Sequence, residues 1–419
     1  MINIPETFRT AWVVDTEFIP DGPTCHPVCL VGHELRSGRV IRLWRDELDK
    51  SPPYSIGPDS LFIAYNAQAE LGFHLAMDWP MPERILDLYF EFRHRTSGIW
   101  KPSAPRKLIN ALRFFGLNEL DGDEKQDMIN RILRGEAERV ETLTYCERDA
   151  MAERRLFCAM APEINWPYAI YRGRYAQALA RTSTSGTWLD VPLCRRLAAN
   201  WEAIQDRLIA EIDPQYGVYE GRTFKGEKFL RYLQRHNIAW PLLETGRLSL
   251  EEVTFRDMSV IHPYLLPLHQ LRQALSAMRL HNIAIDRDGV NRCFLNPFGS
   301  STGRNQPRNS EYLWGMPKWL RGLGKPPQGW GMAYLDFGGQ EFGEAAGLSK
   351  DPNMMEAYLS QEAYLWFARQ GKLVPPDATK KTHPRERALY KTSALAIQYG
   401  IGPESLGGTS ANPVFSPDI

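Results

Sequence analysis

Val13-Val14-Asp15-Thr16-Glu17-Phe18 is the stretch on which the reading of this chain turns. Its β-branched apolar run predicts a strand, and the strand ends in two acids separated by one residue. Side chains alternate across a strand, so both carboxylates fall on one side of the pleat. Adjacent like charges repel and burial raises the cost, so a shared face calls for a cation or for solvent. Taken alone, Asp-x-Glu occurs by chance often enough that a solvated strand end with two surface acids is the better reading. The neighbouring sequence has to decide.

Outward from that strand, residues 1–165 alternate between short β-rich runs and helical stretches, the pattern of an α/β domain. Ala11–Val14, Cys29–Gly32 and Ser60–Tyr65 read as strands, and Ala67–Met77, Lys107–Phe115 and Glu141–Met160 as helices. A Pro-containing joint, Ala161–Pro167, closes this part. Residues 166–285 are mainly helical, with Leu193–Ile212 and His262–Leu280 the clearest amphipathic segments. Residues 286–419 hold loops at Asn296–Asn309 and Lys325–Gly329, an apolar strand at Gly331–Phe337, and helices at Met354–Arg369 and Pro384–Tyr399.

Composition sets the outer limits. The 419 residues, 43% hydrophobic and 24% charged, describe a globular chain of two or three domains. Fifty basic residues balance fifty acidic ones, so any nucleic-acid site has to be a local patch and not a global field. No apolar run is long enough to span a bilayer, and six cysteines do not form a disulfide framework in a chain of this size. A cytoplasmic protein with no membrane partner is expected. Cys25, His26, Cys29 and His33 are four nominal zinc ligands, but their compressed spacing around Pro27 argues against a zinc site. Cys146 reads as a packed thiol.

Two further pieces tip the reading of the paired acids. Phe62 to Glu70 runs from a strand into a helix, with Asn66 the expected N-cap and Glu70 in the first turns. Tyr145-Cys146-Glu147-Arg148-Asp149 sets Tyr145 and Asp149 four apart, on one helical face. Asp87, a competing acid, reads as structural. The order of acid-x-acid on a strand, acid on a first helix, then Tyr and acid on a later helix resembles the DEDDy group of 3′→5′ exonucleases, which have a ribonuclease H-like fold. The resemblance implies that Asp15, Glu17, Glu70 and Asp149 are ligands of two Mg²⁺ or Mn²⁺ ions, with Tyr145 orienting the attacking water. Hard oxygen ligands suit such ions, and phosphodiester hydrolysis by two metals needs them. Glu70 departs from the family pattern, which usually has Asp there.

The C-terminal half carries a second resemblance. Tyr334-Leu335-Asp336-Phe337-Gly338-Gly339-Gln340-Glu341-Phe342, continued by Gly347–Tyr358, resembles the first palm motif of family A DNA polymerases. This implies that Asp336 is a catalytic metal ligand and that Glu341 helps exclude a ribose 2′-OH. Arg387-Ala388-Leu389-Tyr390-Lys391 with Tyr399 resembles the family's fingers helix, implying that Arg387, Lys391 and Tyr399 meet an incoming deoxynucleoside triphosphate. Ser301-Thr302-Gly303-Arg304 resembles its primer–template motif, with Arg304 on DNA. The basic run Arg369, Lys372, Lys380, Lys381, Arg385, Arg387 and Lys391 agrees with phosphate contact.

The expected whole is an α/β ribonuclease H-like exonuclease domain (1–165), a helical thumb-like region (166–285), and an incomplete palm and fingers (286–419). One family A motif is missing: none of the nine histidines is followed by Asp, so the acid that should complete the polymerase site is absent from the sequence. The chain reads as C-terminally truncated, with polymerase activity lost. A non-catalytic primer–template or single-strand DNA-binding fragment, and a 3′→5′ exonuclease acting on RNA, are the alternatives.

Overall fold

The computed structural model describes residues 4–22, 24–97, 99, 106–117, 122–243, 245–278, 283–300, 303–307 and 311–402. Ser301, Thr302, Leu280 and the loop-like run Gly407–Ile419 lie outside the described residues. Contacts divide the chain into two units, Met1–Gly331 and Met332–Ile419.

The first unit is organised around β1 (Thr10–Asp21), β2 (Thr24–Glu34), β3 (Val40–Trp44), β4 (Ser60–Ala64) and β5 (Ile85–Asp87). They form one sheet in the order β3-β2-β1-β4-β5. The pairs β1–β2 and β2–β3 are antiparallel, whereas β1–β4 and β4–β5 are parallel. A parallel neighbour needs a crossover, and α1 (Gln68–Ala76) supplies it between β4 and β5. Further helices follow: α2 (Leu88–Arg95), α3 (Leu108–Phe114), α4 (Gly122–Leu133) and the long α5 (Arg139–Met160).

Strand β1 is apolar on both faces because both faces are covered. Trp12 and Val14 pack with Tyr54, Phe62, Leu71 and Phe73, while Ala11 and Val13 pack with Phe92, Leu156 and Phe157. Burial of each of the larger side chains among them contributes about 1.5–3 kcal/mol. The strand register shifts between Glu17 and Phe18, where Phe18 meets Pro27 of β2. Proline has no N–H to give to the ladder, and a bulge is the usual accommodation.

From α6 (Trp166–Ser185) onward the unit is helical, with α7 (Val191–Ala199), α8 (Trp201–Ile212), α9 (Gly226–Arg235), α10 (Glu252–Ile261) and α11 (Leu266–Ala277). Val218, Phe229, Phe255, Leu265 and Leu268 form a separate core there. At Gly173, α6 presses onto β5. A Cβ at this position would lie 1.9 Å from the Ile85 carbonyl oxygen, so only glycine permits the approach.

The second unit holds α12 (Gln340–Ser349), α13 (Pro352–Leu359), α14 (Ala363–Gln370) and α15 (Pro384–Gln398). No helix among the described residues is long and apolar enough to cross a membrane.

Four local expectations need correction. Gly331–Phe337 is not a strand: it has no ladder partner among the described residues and is exposed throughout. Leu193–Ile212 is two helices, broken at Asn200, which ends α7 and begins α8. Met354–Arg369 is likewise two helices, separated at Ser360–Glu362. Asn66 does not cap α1. It sits at φ +70°, Ala67 is the cap residue, and the Asp87 carboxylate accepts the N–H groups of both at 3.2 and 3.0 Å.

Candidate active site

Asp15 and Glu17 stand on the same side of β1, half-buried and at mid-strand: the strand does not end in the two acids, as the sequence suggested, but runs on to Asp21 because it stays paired with β2. Helix α5 packs across β1 and β2 and brings Tyr145 and Asp149, both buried, onto that side. The spacing of four along the helix then has its expected result. The Tyr145 hydroxyl donates to Asp149 Oδ2 at 3.1 Å. Next to Tyr145, the Cys146 thiol donates to the Asp15 carbonyl at 3.3 Å, which fits a packed thiol tying α5 to β1. Burial pushes that thiol well above its usual range.

Asp15, Glu17 and Asp149 each offer a carboxylate oxygen, and the three oxygens lie within 4.8 Å of one another. Three anions this close repel strongly, so the cluster invites a cation. All three donors are hard oxygens, the type that suits Mg²⁺ or Mn²⁺ and not a soft metal. Tyr145 answers to the same field. Burial and the charges of Asp149, Glu17 and Asp15 push its hydroxyl far above the ordinary tyrosine range, keeping it a neutral donor.

Glu70 is not one of the three converging acids, although it lies within their field. It is fully buried in the first turn of α1, and burial followed by the Asp15 charge raises its carboxyl well above the usual range. Asp87 has a different task. Its carboxylate caps α2 through the N–H groups of Tyr89 and Phe90, at 2.9 and 3.2 Å, besides holding the turn into α1. Burial still raises it to about 7 against those four donors.

Glu153, one turn beyond Asp149 on α5, is an acid that sequence reading passed over. It is buried and feels the charges of Asp15, Glu70 and Asp149. Its i+4 and i+8 relation to Asp149 and Tyr145 was visible in the sequence; its burial was not.

The nominal zinc ligands do not converge. Cys25, His26, Cys29 and His33 run along β2, where four residues span about 13 Å. Burial raises the Cys25 thiol to about 12, as for an inert packed cysteine.

In the second unit, Asp336 lies on an exposed, unladdered segment. Glu341 is in the first turn of α12 and accepts the Tyr399 hydroxyl at 3.0 Å. Arg387 is already engaged, with Nε on Glu362 at 2.9 Å and its guanidinium over the Tyr364 ring. Lys391, one turn on, is exposed. In the first unit, Arg304 is exposed on a loop in which its N–H donates to Ser300 Oγ at 2.8 Å.

Neither a protein-family model nor a characterised protein sequence matches this chain. Its fold does have a counterpart among solved structures: the POL domain of Pol1 from M. smegmatis, in complex with DNA primer-template and dNTP. The similarity covers 95% of this chain and 69% of that one, with a TM-score of 0.64 and 15% sequence identity. Over 95% of its length, this chain therefore resembles in fold the polymerase domain of a DNA polymerase I.

Proposed function

We propose that this chain is a family A DNA polymerase-like protein whose working centre is a 3′→5′ exonuclease site in residues 1–165. The observation that carries the proposal is the convergence of Asp15, Glu17 and Asp149, with the Tyr145 hydroxyl on Asp149. The sheet order and the placing of α5 across β1 support the ribonuclease H-like reading of this part. Residues 166–285 are read as thumb-like, and 286–419 as partial palm and fingers.

Asp15, Glu17, Glu70 and Asp149 are the residues that would hold Mg²⁺ or Mn²⁺. Bound divalent cations supply charge stabilisation at the scissile phosphate and lower the pKa of a water. The protein fixes where this happens. The register of β1 against β2 shifts just after Glu17, beside the acids, while on α5 Tyr145 donates to Asp149 and Cys146 ties the helix to the Asp15 carbonyl. The neutral Tyr145 hydroxyl, kept protonated by its surroundings, is the group to orient an attacking water.

Polymerisation is a different matter. Phosphoryl transfer needs paired carboxylates around its metals. Asp336 belongs to no such cluster among the described residues, and the sequence has no His-Asp pair. Glu341 with Tyr399, and Lys391 with Arg387, are proposed to retain contacts to a deoxynucleoside triphosphate, with Arg304 contacting DNA.

The test is degradation of 5′-labelled single strands by the purified full chain, with Mg²⁺, Mn²⁺ or chelator. Metal-dependent shortening from the 3′ end is expected, with DNA preferred over RNA. RNA preference would move the substrate class. No cleavage of either, together with retained strand binding, would make the chain a DNA-binding fragment.

A further inference from the structure

Glu70 and Glu153 reach the same interior from two different elements, the first turn of α1 and the middle of α5. Glu70 is 4% exposed and Glu153 is 2% exposed. In each, the Oε2 oxygen meets no hydrogen-bond donor among the described residues. A buried carboxylate oxygen with nothing to receive is rare, and two in one place call for a common explanation. The charged groups that act most strongly on either are all carboxylates: Asp15, Asp87 and Glu17 on Glu70, and Asp15, Glu70 and Asp149 on Glu153.

Helix geometry places Glu153 on this side by design of spacing. Tyr145, Asp149 and Glu153 follow one another at intervals of four, so one stripe of α5 presents all three toward the sheet. Glu70 is near enough for its charge to act on Glu153 across the two elements. Buried acids of like charge are stable together when a cation lies between them, and the donors here are hard oxygens.

We propose that Glu153 and Glu70 together hold a divalent cation, Mg²⁺ or Mn²⁺, making the carboxylate site one of five acids. The inference deepens the exonuclease reading and rests on it for the neighbouring ligands Asp15 and Asp149. Glu153 would supply a ligand from α5 in addition to Asp149 on the same helix.

Manganese binding tests this without reference to turnover. Mn²⁺ is titrated into the full chain, free Mn²⁺ is read from its paramagnetic resonance signal, and thermal unfolding is recorded with and without the ion. Glu153→Gln keeps the shape and removes the charge. It is expected to weaken Mn²⁺ binding by about tenfold or more, and to lose most of the metal-induced rise in Tm, while its metal-free Tm equals or exceeds that of wild type. Asp15→Asn is the control for the established cluster. Wild-type affinity in Glu153→Gln, with binding lost in Asp15→Asn, would overturn this inference and leave the exonuclease reading standing. Absence of Mn²⁺ binding at millimolar concentration in the wild type would overturn both. Should Glu153→Gln fail to fold, Glu153→Asp is judged by the same criterion, because withdrawing the carboxylate by one methylene must also weaken a direct ligand.

Discussion

Val13–Phe18 and Gly331–Phe337 are two apolar runs of similar length, each carrying the aspartate on which a functional reading rests. The first is the middle strand of a five-stranded sheet, with ladders on both edges and helices over its faces. The second has no ladder partner among the described residues; Leu335 is 90% exposed and Phe337 75%. Their sequences would not separate them. What separates them is company: a strand is stable only when its N–H and C=O groups and its apolar side chains find partners. The difference passes to the acids. Asp15 is held where two other carboxylates converge on it, whereas Asp336 stands on exposed backbone.

The largest effect that could break this comparison is catalytic. Asp15→Ala should reduce metal-dependent 3′→5′ cleavage of single-stranded DNA by about a thousandfold or more, on the order of 4 kcal/mol of transition-state stabilisation. Tyr145→Phe should cost less, because it removes only a hydroxyl. An Asp15→Ala protein with wild-type turnover would mean that the cluster on β1 is ornamental. Primer extension is the converse assay: no extension is expected from the wild type, so Asp336→Ala should change nothing. Robust extension that Asp336→Ala abolishes would give the exposed segment a role denied to it here.

Stability separates the two regions next. Phe62, fully buried on β4 beside β1, should cost about 3–5 kcal/mol when changed to alanine. Leu335→Ala, although also a large apolar truncation, should stay within about 0.5 kcal/mol. Chemical denaturation of both variants measures the contrast. A Leu335→Ala cost like that of Phe62→Ala would show that the second run is covered in solution.

Burial in the first region also has a pH signature. His74 is enclosed against Tyr54, whose hydroxyl is 2.8 Å from Nε2, and Pro80, whose carbonyl is 2.9 Å from Nδ1. Burial lowers its pKa from 6.5 to about 4, against the raising effect of the Pro80 carbonyl. The folded state therefore binds fewer protons than the unfolded state between those values. The associated stability is present above pH 6.5 and is lost as pH falls toward 4, up to about 3 kcal/mol in all. Denaturation midpoints across that window should fall less steeply in His74→Gln. An unchanged slope would place the titration elsewhere.

The smallest expected effect belongs to the exposed face of the second unit. Lys391→Ala should weaken triphosphate binding about two- to fivefold, the scale of a single solvated charge contact. Fluorescent-nucleotide titration at two salt concentrations measures it, and a salt-independent loss would point to a more enclosed site than the structure has.

Much of the candidate site was legible before any folding. The alternation that puts Asp15 and Glu17 together, and the interval of four that puts Tyr145 over Asp149, are local periodicities, and local geometry is written into the chain. Asp87 also read as structural, but the strand before it and the helix it caps came only with the fold. Other features depend on residues far away in sequence. That Glu70 and Glu153 share one interior requires β4, α1 and α5 to be assembled, 83 positions separating the two acids. That Asn66 and Ala67 give their N–H groups to Asp87 at the entry to α1 follows from β5 lying beside β4. And the apolar run at Gly331–Phe337 fails to become a strand because pairing is a property of two segments, never of one.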